Sequence, residues 1–92
     1  MSQQEQQDLL RLGRAIREIR EERDTTAAGL AAATDVELAQ IRALEAGRVD
    51  PTYELLLALA EGLGIRPSAF VIRAEALAKE DPPGAGESRR DR

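Results

Sequence analysis

Residues 25–51, TTAAGLAAATDVELAQIRALEAGRVDP, carry the pattern from which the fold can be read. Apolar residues recur at Leu30, Ala33, Val36, Ile41 and Leu44. That spacing fits two short helices crossing over a shared core better than one long helix. Thr34-Asp35 interrupts the periodicity between them, and Gly47 ends the second helix, where a left-handed cap costs glycine little. Aspartate tolerates left-handed backbone better than most residues, so Asp35 reads as a tight turn. Val36 then plugs the angle between the two helices.

Upstream, a first helix is expected from about Gln7 to Glu22. Leu9, Leu12, Ile16 and Ile19 supply one buried face at three- and four-residue spacing. Arg11, Arg14, Arg17, Arg20 and Arg23 fall every three residues, so they drift round the helix as a solvated charged surface. Arg14 with Glu18 and Arg17 with Glu21 are four apart and set to pair, each pair worth about 0.2–0.5 kcal/mol. Residues 1–7 are polar and glutamine-rich and read as a flexible arm. The second helix starts at Thr25 or Thr26, either of which can supply the capping oxygen. No glutamate stands three residues beyond Thr26, and Gly29 costs roughly 1 kcal/mol against alanine, so this helix is expected to be the least stable. The third helix spans about 37–46.

Downstream, Pro51 suits a first helical position, with Asp50 or Thr52 as the cap. The fourth helix then runs to about Leu63, burying Leu55, Leu56, Leu59, Ala60 and Leu63, and Gly64 stops it. Pro67 opens a fifth helix to about Lys79, with Phe70, Val71, Ala74 and Leu77 inward and Ile72 outward. Residues 81–92, DPPGAGESRRDR, have the composition of a disordered tail. One domain over 8–80 follows.

Composition narrows the chemistry. Ninety-two residues make a single modest core. Tyr53 and Phe70 are the only aromatics, so leucine, isoleucine, valine and alanine must fill it, as suits an all-α domain. Cysteine and histidine are absent, which removes thiolate metal sites, disulfides and the commonest general base. With no glycine-rich phosphate loop and no carboxylate pair in an expected cleft, no enzyme, metal or cofactor is expected. No apolar run approaches the ~20 residues of a membrane span and no secretory signal is read, so a cytoplasmic location is expected. The net charge of −4 means that any nucleic-acid surface must be locally rather than globally positive.

From Leu12 to about Ala76 the chain resembles the lambda-repressor-like (Cro/Xre) helix-turn-helix family, and no gap is needed. The resemblance rests on LGRAIREIREER, Leu30-Ala31, Asp35-Val36, Ile41, Leu44-Glu45-Ala46-Gly47, Pro51-Thr52 and LLALAEGLGIRPSAF. It implies a compact five-helix all-α fold with the helix-turn-helix as helices 2 and 3. It also implies a small transcriptional regulator that binds double-stranded DNA, reading the major groove with helix 3, as a homodimer. Arg20 and Glu45 are expected to form a structural ion pair tying helix 1 to helix 3. Carried over by position, base edges would meet Ala27, Leu38, Ala39 and Ala43. Glu37 replaces a frequent serine or threonine, and Ala46 a frequent asparagine. Gln40 and Arg42 project from helix 3, while Arg48 and the Thr26 end of helix 2 face phosphates. Val71, Ile72 and Leu77 on helix 5 are the expected dimer surface. The same apolar face, Ala27, Ala28, Leu38, Ala39, Ala43 and Ala46, supports a second reading: an interaction module that has lost base readout and binds a protein partner.

Overall fold

The computed structural model describes residues 2–80, which form five helices and no strand. These are α1 (Gln3–Glu22), α2 (Ala27–Thr34), α3 (Leu38–Glu45), α4 (Tyr53–Leu63) and α5 (Ser68–Glu80). Among the described residues no single helix is long and apolar enough to cross a membrane.

The start of α1 corrects the expectation of a flexible arm over residues 1–7 for the part that is helical, residues 3–7; Met1 and the expected tail over 81–92 lie outside the described residues. Ser2 caps the helix: its hydroxyl accepts from the Glu5 amide at 3.1 Å, and the Glu5 carboxylate accepts from the Ser2 amide at 2.8 Å. This reciprocal capping box satisfies two amides that would otherwise be open, so residues 3–7 are helical. At α4 the cap is Thr52, whose hydroxyl accepts from the Leu55 amide at 3.1 Å. Pro51 therefore precedes the helix instead of opening it.

The core gathers Ile16 and Ile19 of α1, Leu30 of α2, Ile41 and Leu44 of α3, Leu59, Ala60 and Leu63 of α4, and Phe70 of α5. Two inward assignments are corrected. Ala33 is exposed, because Leu30 alone carries the buried side of α2. Val71 is exposed as well: α5 buries Phe70 and Leu77, seven residues apart, and half-buries Ala74 between them. The covered face of α5 thus lies one residue to the side of Val71.

Close backbone approach fixes two helix contacts. A Cβ on Gly13 of α1 would run into the main-chain carbonyls of Leu44 and Glu45 in α3. One on Gly62 of α4 would run into Thr34 and Leu30 of α2. Glycine at these points lets the helices sit closer than any other residue allows.

A charge network fastens α5 to α1. Arg73 grips Glu22 with two hydrogen bonds of 2.8 and 2.9 Å and reaches Glu18 at 3.2 Å. Glu18 also takes Arg14 at 2.9 Å. Arg17 and Glu21, expected to pair likewise, do not do so among the described residues. The Arg73 hydrogen bonds, followed by its charge, hold the Glu22 carboxyl below its ordinary value of 4.5. A depressed folded value means that the stabilisation is present above the unfolded pKa and is lost as pH falls through the folded one. Arg73→Gln is therefore expected to flatten the fall of the thermal midpoint as pH drops through and below the ordinary carboxylate range. An unchanged acid profile in that variant would assign the acid sensitivity elsewhere.

Candidate nucleic-acid interface

The α2–turn–α3 unit is built from local hydrogen bonds. Thr26 caps α2, its hydroxyl accepting from the Gly29 amide at 2.9 Å. The Ala27 and Ala28 amides, ahead of that capped position, have no partner within the helix. At the other end Asp35 adopts left-handed backbone, φ 62°, and its amide bonds the Ala31 carbonyl at 3.1 Å. The Thr34 hydroxyl donates to the Leu30 carbonyl at 2.7 Å and accepts from the Val36 amide at 3.2 Å, bracing the turn on both sides. Glu37 is the N-cap of α3 but makes no side-chain capping bond.

Gly47, at φ 72°, closes α3. Its amide bonds the Leu44 carbonyl at 3.0 Å, and the Arg48 amide bonds the Ala43 carbonyl at 3.0 Å. This paired pattern is a Schellman motif, and it fixes the chain direction at Arg48 just past the helix.

Arg20 and Glu45 hold α3 against α1. The guanidinium meets the carboxylate edge to edge, Nε to Oε2 at 2.7 Å and Nη2 to Oε1 at 2.9 Å. Nη1 donates to the Thr25 carbonyl at 2.9 Å, so one side chain ties α1, the α2 approach and α3 together. Arg20 is only 9% exposed, and its hydrogen bonds to Glu45 raise its pKa above the ordinary arginine value. With both partners nearly dry, geometry of this quality is what keeps the pair charged.

The remaining side chains of the expected interface divide by exposure. Thr26, Glu37, Ala39, Gln40, Arg42, Ala46 and Arg48 are exposed, while Leu38 and Ala43 are half-buried. Ala27 is half-buried and packs against the core, so only part of it is open to a ligand. Among the described residues neither Arg42 nor Arg48 makes an ion pair or a side-chain hydrogen bond. Both cations remain open to an anionic ligand.

The expected dimer surface needs one correction. Val71 and Ile72 are 45% and 63% exposed, but Leu77 is 3% exposed and belongs to the core. Nearby, Tyr53 is 66% exposed and with Leu56, Pro67 and Val71 lines a groove between α4 and α5. Residue patterns also left Gly13 and Arg73 without a role. Gly13 had a readable signal, since glycine inside a strong helical run is costly unless a neighbour needs the space. Arg73 had none, because its partners lie 51 and 55 residues away.

Comparison with known proteins agrees with this geometry. Residues 16–70 match the family model described as helix-turn-helix. The chain is similar to the clp gene regulator ClgR from Corynebacterium glutamicum in two crystal structures. In one the identity is 30% and the TM-score 0.71, covering 75% of this chain and 88% of that one. In the other the identity is 27% and the TM-score 0.79, covering 89% and 87%. It is also similar to the restriction-modification controller protein C.AhdI from Aeromonas hydrophila, at 25% identity and TM-score 0.67, covering 68% and 96%. No match occurs among the curated proteins. With α2 and α3 as its motif, this chain belongs to the lambda-repressor-like (Cro/Xre) helix-turn-helix family.

Proposed function

We propose that this chain is a cytoplasmic DNA-binding regulator of transcription that lays α3 in the major groove and works as a homodimer. One observation carries the reading. The face of α3 opposite Ile41 and Leu44 is uncovered, and Arg42 and Arg48 stand beside it with no ion pair among the described residues. The Ala27 and Ala28 amides at the start of α2 add a second place for a phosphate. Similarity to ClgR and C.AhdI, both named as regulatory proteins, supports the same reading.

The test is a fluorescence-anisotropy titration with a pool of random duplexes at low and near-physiological salt. Binding is expected to weaken steeply with salt. The Arg42→Ala, Arg48→Ala double variant is expected to bind at least tenfold more weakly and to lower the salt slope by about 1–2. Absence of binding at low salt by folded protein would sink the proposal.

Homodimerisation rests on Tyr53, Val71 and Ile72, large apolar side chains exposed along α4 and α5. Two copies would set two α3 helices about 34 Å apart, one turn of DNA. Ile72→Glu buries a charge in that contact and is expected to give a monomer in sedimentation-velocity runs. A variant that stays dimeric would place the contact elsewhere. The second reading, a module that binds protein through the apolar side of α3, is favoured by the net charge of −4 and by Glu37. Its signature would be salt-insensitive capture of a protein partner.

A further inference from the structure

The composition of the outward face of α3 bears on what that face can read. Successive residues of a helix are turned by about 100°. Ile41 and Leu44, 0% and 2% exposed, define the core side. Directly opposite them stand Ala39 and Ala46, with Ala43 next to Ala39. Arg42 borders this ridge on one flank and Gln40 on the other. The centre of the reading face therefore carries only methyl groups, and its hydrogen-bonding groups lie at the edges.

A methyl group neither donates nor accepts. Pressed against N7, O6, O4 or an exocyclic amine, it would strip water from a polar atom and return no hydrogen bond. The 5-methyl of thymine is the largest apolar group on a major-groove edge, and its removal from water is favourable. Alanine side chains are also short, so the backbone of α3 can sit deep enough for methyl to meet methyl. The Arg20–Glu45 pair and the Gly13 contact hold α3 at a fixed depth on α1, which makes that approach reproducible.

Building on the DNA-binding reading above, we infer that the operator half-site presents thymine methyl groups to Ala39, Ala43 and Ala46, flanked by a purine that Arg42 or Gln40 contacts. Specificity then comes from the apolar centre of the face as much as from its polar rim. Arginine pairs with guanine and glutamine with adenine at the edges. Phosphate contact from Arg48 sets register without reading sequence.

The experiment starts from the tightest duplex selected by wild-type protein from a random pool. Each thymine is then replaced singly by deoxyuridine, which removes the methyl and keeps every base-pairing and groove hydrogen-bonding atom. Affinity is expected to fall about fourfold for each methyl in contact, at two or three adjacent positions per half-site and nowhere else. Ala39→Gln, an exposed substitution whose folding circular dichroism can verify, is expected to abolish the uridine effect at one position and to favour adenine there. Selected duplexes that bind equally well with uridine throughout would overturn the methyl readout while leaving DNA binding intact. Folded wild-type protein that binds no duplex at low salt would overturn both readings, and the alanine face would then be tested against protein partners.

Discussion

Glu45→Ala is expected to lower the unfolding free energy by about 3–5 kcal/mol, the usual cost of leaving one partner of a buried ion pair uncompensated. Arg20 keeps its bond to the Thr25 carbonyl but loses both carboxylate bonds, in a place where it is 9% exposed. Native domains hold roughly 5–15 kcal/mol in total, so much of the stability would go. The pair itself need not contribute that much. The Arg20→Met, Glu45→Leu double variant replaces two charges by apolar groups of similar bulk and is expected to retain most of the wild-type stability. Urea unfolding followed by circular dichroism measures both. A single variant within about 1 kcal/mol of wild type would show that the pair behaves like an exposed one. The double variant also separates folding from function, because it keeps α3 seated by packing while removing its electrostatic tether.

Gly13→Ala is the second large effect, and its sign runs against helix propensity. In a free helix the change would gain about 1 kcal/mol. Here the added Cβ meets the Leu44 and Glu45 carbonyl oxygens, which are main chain and cannot rotate away. Either α1 and α3 separate or the helices bend, and overpacking of this kind costs about 1–3 kcal/mol. Set against that gain, a net loss of about 1–2 kcal/mol would lower the thermal midpoint by roughly 5–10 °C in a domain of this size. The same displacement would move the reading face of α3, so operator affinity is expected to fall even at temperatures where the variant is folded. A midpoint at or above wild type would mean that the α1–α3 contact has room that the structure does not show.

The Arg20–Glu45 pair was expected from the family resemblance, whereas the Gly13 contact marks where sequence reading stops. The periodic spacing of Ile16 and Ile19, of Ile41 and Leu44, and of Leu59 and Leu63 specified helices and their buried sides. Local chemistry narrowed the α2 cap to Thr25 or Thr26 and specified the Gly47 cap and the left-handed turn at Asp35, because those bonds join residues only a few positions apart. The alanine face of α3 was equally legible, since a residue opposite a buried stripe must point outward. The Ser2–Glu5 capping box was also local, and residues 3–7 read as an arm only because their composition is polar.

Tertiary structure decided the rest. Whether Val71 or Leu77 is covered depends on the angle at which α5 crosses α1, and a helical repeat fixes a buried stripe without fixing its edges. Arg73 finds Glu22 only after 51 residues of chain have folded back, and no spacing rule encodes such a meeting. The glycine at 13 marks a close approach but does not say which helix approaches. Sequence alone determined five helices, the turn and the residues that α3 presents. Their packing decided how firmly α3 is held, because depth and tilt are set by contacts between segments far apart in the chain.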